Sequence, residues 1–68
     1  MKIFSERLKE KRKEVGITQE TISRLLGIAQ STYANYETGN REPDLEMLEK
    51  IATTLKTTTD YLLGRTKD

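Results

Sequence analysis

The sequence predicts an all-α protein of five short helices, and three observations predict it. Ile22, Leu25 and Leu26, then Tyr33 and Tyr36, keep the i, i+3, i+4 spacing of helix faces turned to a core, with Gly27 and apolar Ile28 between them. Leu45, Leu48, Ile51, Ala52 and Leu55 make a second apolar stripe of the same period. Gly16, Gly27, Gly39 and Gly64 stand where helices are expected to stop, Gly27 above all, because glycine alone takes φ > 0 without a Cβ clash. The 68 residues read as one domain, near the lower size at which a core alone supports folding.

The first helix is expected from about Ser5 to Val15, with Ser5 as N-cap, Glu6 in the first turn and Gly16 as the stop. Phe4, Leu8 and Val15 face inward on it, and Lys11 lays its methylene stem on the same face with its amine in water. Thr18 caps the second helix, and Ser23, small and four residues before Gly27, lets the third helix cross closely. The third helix starts near Ala29 or Gln30 and turns a polar face outward through Gln30, Ser31, Thr32 and Asn35. Such side chains donate and accept hydrogen bonds of the kind base edges offer. Residues 38–43 form a loop, Asp44 caps the fourth helix, and its stripe from Leu45 to Leu55 packs on the core. Thr58 caps a last helix, Thr59 to Leu63, stopped by Gly64, and the RTKD tail is expected to fray.

Composition narrows the chemistry. Without Cys there is neither a disulfide nor a thiolate metal site, and without His the commonest general base and metal ligand is missing. No paired carboxylates sit in an apolar setting, so no catalytic residue, metal or cofactor is indicated. No run of about 18 apolar residues exists to span a membrane. The first residues lack an apolar segment of secretory type, which makes the cytoplasm the expected location. Residues 1–16 carry six basic and three acidic side chains, against six and eight in the remainder. A basic end beside a near-neutral body permits phosphate binding without requiring it, and KEKRK with interleaved Glu6, Glu10 and Glu14 also reads as a solvated helix face.

The stretch TQETISRLLGIAQSTYANYE, residues 18–37, resembles the helix-turn-helix of the lambda-repressor and Cro family, the Xre type. RLKEKRKEVG before it, and ETGNREPDLEMLEKIATTL and TDYLLG after it, extend the resemblance over nearly the whole chain. It implies a compact five-helix lambda-repressor-like DNA-binding domain whose third helix enters the major groove of double-stranded DNA. Gln30 and Ser31 are then placed to meet bases first, Gln pairing bidentately with adenine, with Thr32 and Asn35 on the same helix. The Gln-Ser pair is similar to the start of lambda repressor's recognition helix. The resemblance also implies phosphate contacts by Thr18, Gln19, Thr38, Asn40 and Arg41, and an ion pair between Arg12 and Glu37.

The family's specificity comes from a two-fold dimer on a palindrome with half-sites about 34 Å apart. The resemblance puts the dimer surface at Tyr61 and Leu62 with the start of the fourth helix; the other role open to Tyr61 and Leu62 is closing the core. Four places depart from the family pattern: Ala29 cannot cap, Tyr33 stands for Ile or Val with its hydroxyl expected at the surface, Lys11 stands for Leu, and Lys56 for Gly or Asn. The implied function is a transcriptional regulator, a repressor of prophage or mobile-element type. The alternative is an interaction module that binds an antirepressor or toxin through the last two helices. YLLGRTKD resembles the point where longer repressors pass into a linker and a further domain.

Overall fold

A computed structural model describes residues 1–67. The chain forms α1 (Lys2–Val15), α2 (Gln19–Leu26), α3 (Gln30–Thr38), α4 (Leu45–Thr54) and α5 (Thr59–Leu62), with no strand among the described residues. The packing closes a ring: α1 on α3, α3 on α2, α2 on α4, α4 on α5, and α5 back on α1. Phe4 and Leu8, Ile22 and Leu26, Tyr33 and Tyr36, Leu48, Ile51 and Ala52, then Leu55 and Leu62 fill its centre.

The helix ends follow from local chemistry. Thr18 Oγ1 accepts from Thr21 N at 3.1 Å, Asp44 Oδ1 from Met47 N at 2.8 Å, and Thr58 Oγ1 from Tyr61 N at 3.0 Å. Each satisfies an amide that the first helical turn leaves without a partner. At Gly27 (φ 73°) the chain reverses: Gly27 N donates to Arg24 O and Ile28 N to Ser23 O, the paired bonds of a left-handed helix stop. Buried Ser23 donates its hydroxyl to Glu20 O at 2.9 Å, so a small polar group is satisfied inside its own helix.

Several positions differ from the sequence reading. α1 begins at Lys2, and Ser5 is an interior residue whose hydroxyl donates to Lys2 O at 2.9 Å instead of capping. The helix reaches that far because Phe4 must be helical to share a buried face with Leu8. At its other end Gly16 turns the chain so that Ile17, not Val15, packs on the core. Leu25 is 59% exposed and Leu45 84% exposed, on the flank of one helix and the protruding first turn of another. The Lys11 amine is not free in water: it lies 4.8 Å from the Tyr61 ring centroid and bonds Glu14. The tail is also tied down as far as Thr66. Arg7 Nη1 donates to the carbonyls of Tyr61, at 2.7 Å, and of Thr66, and Arg65 N bonds Asp60 O. Asp68, the last residue of the stretch expected to fray, lies outside the described residues.

α4 stops with the same paired bonds as α2, Lys56 N to Thr53 O and Thr57 N to Ala52 O. Here the left-handed residue is Lys56, at φ 56°, the one described non-glycine with positive φ. A Cβ in that conformation costs about 1–2 kcal/mol, part of which glycine returns through its freer unfolded chain. Lys56→Gly is therefore expected to add about 0.5–1 kcal/mol and raise Tm by a few degrees in a circular-dichroism melt. A lower Tm would show that the lysine stem contributes more than its backbone strain removes.

Candidate nucleic-acid interface

α3 is anchored from behind and open in front. Tyr33 and Tyr36 are buried, with ring centroids 6.2 Å apart in an edge-to-face pair. Glu37, one turn after Tyr33, also points inward, its side chain 3% exposed. Its Oε2 accepts from Arg12 Nε at 2.6 Å and from the Tyr33 hydroxyl at 2.6 Å. Its Oε1 accepts from Arg12 Nη2 at 3.2 Å and Gln19 Nε2 at 3.0 Å. The remaining Arg12 amine, Nη1, donates to Ile17 O at 2.8 Å. One carboxylate thus gathers donors from α1, α2 and α3.

The electrostatics of this cluster follow from its geometry. The hydrogen bond to Glu37 holds the Arg12 guanidinium above its ordinary pKa. Burial alone would raise the Glu37 carboxyl, but the hydrogen bonds from Arg12, Tyr33 and Gln19 outweigh it and hold the group below the ordinary range. Burial first, then the bond to Glu37, push the Tyr33 phenol well up. The ion pair is formed and internally neutral, so it draws no phosphate by charge. The Tyr33 hydroxyl, expected at the surface, is inside. The i, i+4 spacing brings phenol and carboxylate together, but it does not say that both lie inside.

On the front, Ala29 caps with no side chain, at φ −68° and ψ 147°, which leaves the first amides of α3 without a side-chain acceptor. Gln30 and Ser31 are exposed beside those amides, and Thr32 and Asn35 are half-buried. Asn35 organises the next loop. Its carbonyl accepts from Arg41 N at 3.2 Å and from Thr38 Oγ1 at 3.2 Å, and its Oδ1 from Asn40 Nδ2 at 3.5 Å. Asn35, Thr38, Asn40 and Arg41 therefore share one patch, and the Arg41 side chain is exposed. Across α3, the Thr18 hydroxyl is committed to capping, so the backbone amides at the start of α2 are what that position offers an anion. Gln19 stands beside them with one amide N–H on Glu37. Glu42, whose charge opposes a polyanion, is paired with the Met1 ammonium at 2.7 Å.

Tyr61 and Leu62 do not share a surface. Leu62 is 0% exposed and closes the core, since adjacent residues of a helix point about 100° apart and only one can face outward. The half-buried Tyr61 ring is covered by Arg7, whose guanidinium lies 4.5 Å from the centroid, and by Lys11. The exposed apolar surface lies elsewhere. A cleft of about 190 Å³ runs between Met1, Phe4, Pro43, Leu45, Leu48 and Leu63, with Glu42 at its rim.

A helix-turn-helix family model matches residues 8–62. The chain is 50% identical over 62 residues to the HTH-type transcriptional regulator AnsR of Bacillus subtilis (strain 168), covering 91% of this chain and 53% of that protein. It is 42% identical over 64 residues to the SPbeta prophage-derived uncharacterized HTH-type transcriptional regulator YonR of the same organism, covering 94% and 59%. It is 42% identical over 65 residues to the cryptic phage CTXphi transcriptional repressor RstR of Vibrio cholerae serotype O1, covering 96% and 57%. The chain spans a little over half the length of these curated relatives.

Proposed function

The chain belongs to the helix-turn-helix family, and from that premise we propose that it is a sequence-specific DNA-binding transcriptional regulator, a repressor of prophage or mobile-element type. It reads a palindromic operator as a homodimer, in the cytoplasm; no described helix is long and apolar enough to cross a membrane. The observation that carries this reading is the uncapped start of α3, with Gln30 and Ser31 exposed beside free amides and the helix held from behind by Tyr33, Tyr36 and Glu37. A prophage-derived regulator and a phage transcriptional repressor are among its relatives, and the latter supports the repressor role.

Work divides between two kinds of contact. Gln30, Ser31, Thr32 and Asn35 read bases; Thr18, Gln19, Thr38, Asn40 and Arg41 hold phosphates and set register. Gln30→Ala is expected to lose about 1–3 kcal/mol of discrimination at one base position. Arg41→Ala is expected to weaken all sites alike and make the slope of log K against log salt shallower by about 1. Anisotropy titrations on a selected operator and its single-base variants, at several salt concentrations, measure both. A uniform loss in both mutants would contradict the division, and no duplex binding at low salt would overturn the reading.

With Leu62 inside, the dimer surface is the start of α4 and the adjoining cleft, Leu45 and Leu63 foremost. That same cleft supports the second reading, in which an antirepressor-like or toxin protein seats on it. Sedimentation of the chain alone and on duplex separates the two: two copies per operator support the homodimer, and one copy that retains a protein partner supports the module.

A further inference from the structure

Gln19 sits at the junction between the interior cluster and the outer face. A carboxylate is acceptor-only, so the group that Gln19 turns to Glu37 must be its amide NH₂. That nitrogen carries two hydrogens, and the structure engages one of them inside the protein. The second has no partner among the described residues, and it belongs to the side chain of the first residue of α2. Which way it points is set by where the Glu37 carboxylate is held.

A carboxylate offers about four acceptor positions, two on each oxygen. In Glu37 all four are taken, by Arg12 twice, by Gln19 and by Tyr33. Filling every position leaves the carboxylate one orientation. Without the phenol, Oε2 keeps Arg12 Nε but has a vacant acceptor site, and the carboxylate, held by the Arg12 fork and Gln19 alone, can tilt about its terminal torsion, which is intrinsically broad. Gln19 then bonds an acceptor whose position is less tightly fixed.

We propose that Tyr33 is a positioning residue for DNA binding: its hydroxyl, acting through Glu37, aims the Gln19 amide at a backbone phosphate. This rests on the reading of the α2 start as a phosphate contact. Tyr33 itself, wholly buried, touches no nucleic acid. Its effect travels through one shared acceptor, a contiguous path of two hydrogen bonds from α3 to α2.

The test is a double-mutant cycle with Tyr33→Phe and Gln19→Ala, read as affinity for an operator duplex. Phenylalanine keeps the ring in place, so the fold survives, and circular dichroism verifies that it does. Tyr33→Phe is expected to weaken binding about fivefold when Gln19 is present and under about twofold when it is not. In the free protein, the side-chain amide cross-peaks of Gln19 in a nitrogen-correlated NMR spectrum are expected to collapse toward free-amide positions in Tyr33→Phe. Equal loss of affinity in both backgrounds, or Gln19 peaks that do not move, overturns the inference while leaving DNA binding intact. A wild-type chain that binds no duplex overturns the underlying reading, and this inference with it.

Discussion

Arg12→Met is expected to lower the stability of the protein by about 3–5 kcal/mol in urea denaturation, most of what a chain this size has. The Arg12 and Glu37 side chains are 11% and 3% exposed, so removing the cation leaves a buried carboxylate that water cannot reach. Tyr33 and Gln19 still donate to it, but they bring no charge. Glu37→Gln is expected to cost less, because Arg12 keeps the Ile17 carbonyl and sits nearer the surface. If Arg12→Met costs under about 1 kcal/mol, the pair behaves as a surface ion pair and its burial contributes nothing.

The same cluster fixes the direction of the acid response. The folded Glu37 carboxyl lies below its ordinary value, so it binds its proton less readily folded than unfolded. Its contribution is full above the unfolded glutamate pKa and is lost as pH falls through the lower, folded one. Wild-type stability therefore declines in acid below the ordinary glutamate range. In Glu37→Gln that part of the decline is absent, which a pair of denaturation series from neutral to acid pH would reveal.

The second large effect separates Leu62 from the start of α4, which the resemblance puts on one dimer surface. Leu62→Ala is expected to cost about 2–5 kcal/mol, since it opens a cavity at a fully buried site, and the loss does not depend on protein concentration. Leu45→Glu is expected to change stability by under about 0.5 kcal/mol, because an 84% exposed side chain has little to lose. Its effect is expected on assembly: if the chain binds an operator as the proposed homodimer, sedimentation on the duplex should find one copy of Leu45→Glu bound in place of two. Two bound copies of Leu45→Glu would remove the α4 start from the dimer surface.

The pair also marks how far the sequence is legible. Apolar period defines five helices, glycines stop all but α4, and the capping residues Thr18, Asp44 and Thr58 act as their chemistry dictates. Period gives a helix a face but not the extent of the helices it meets. Val15, Leu25 and Leu45 carry apolar side chains past the edge of the packing for that reason. In a four-residue helix the pattern is too short to say which of Tyr61 and Leu62 turns inward. Ser5 misleads differently: a favoured capping residue sits in a helix interior, where its hydroxyl finds the backbone one turn earlier. At the candidate interface the polar residues of α3 are legible as a face. The depth of Tyr33 is not, because it depends on the carboxylate four residues on being drawn inside by Arg12 of α1 and Gln19 of α2.

One carboxylate joined to three helices has a thermodynamic consequence for recognition. α1, α2 and α3 meet a duplex with their mutual orientation already established, so ordering them adds little to the entropy lost in complex formation. With Gln30 and Arg41 as the proposed contacts, the remaining entropic cost would fall on those exposed, rotamer-rich groups, at roughly 0.5–1.5 kcal/mol for each side chain immobilised.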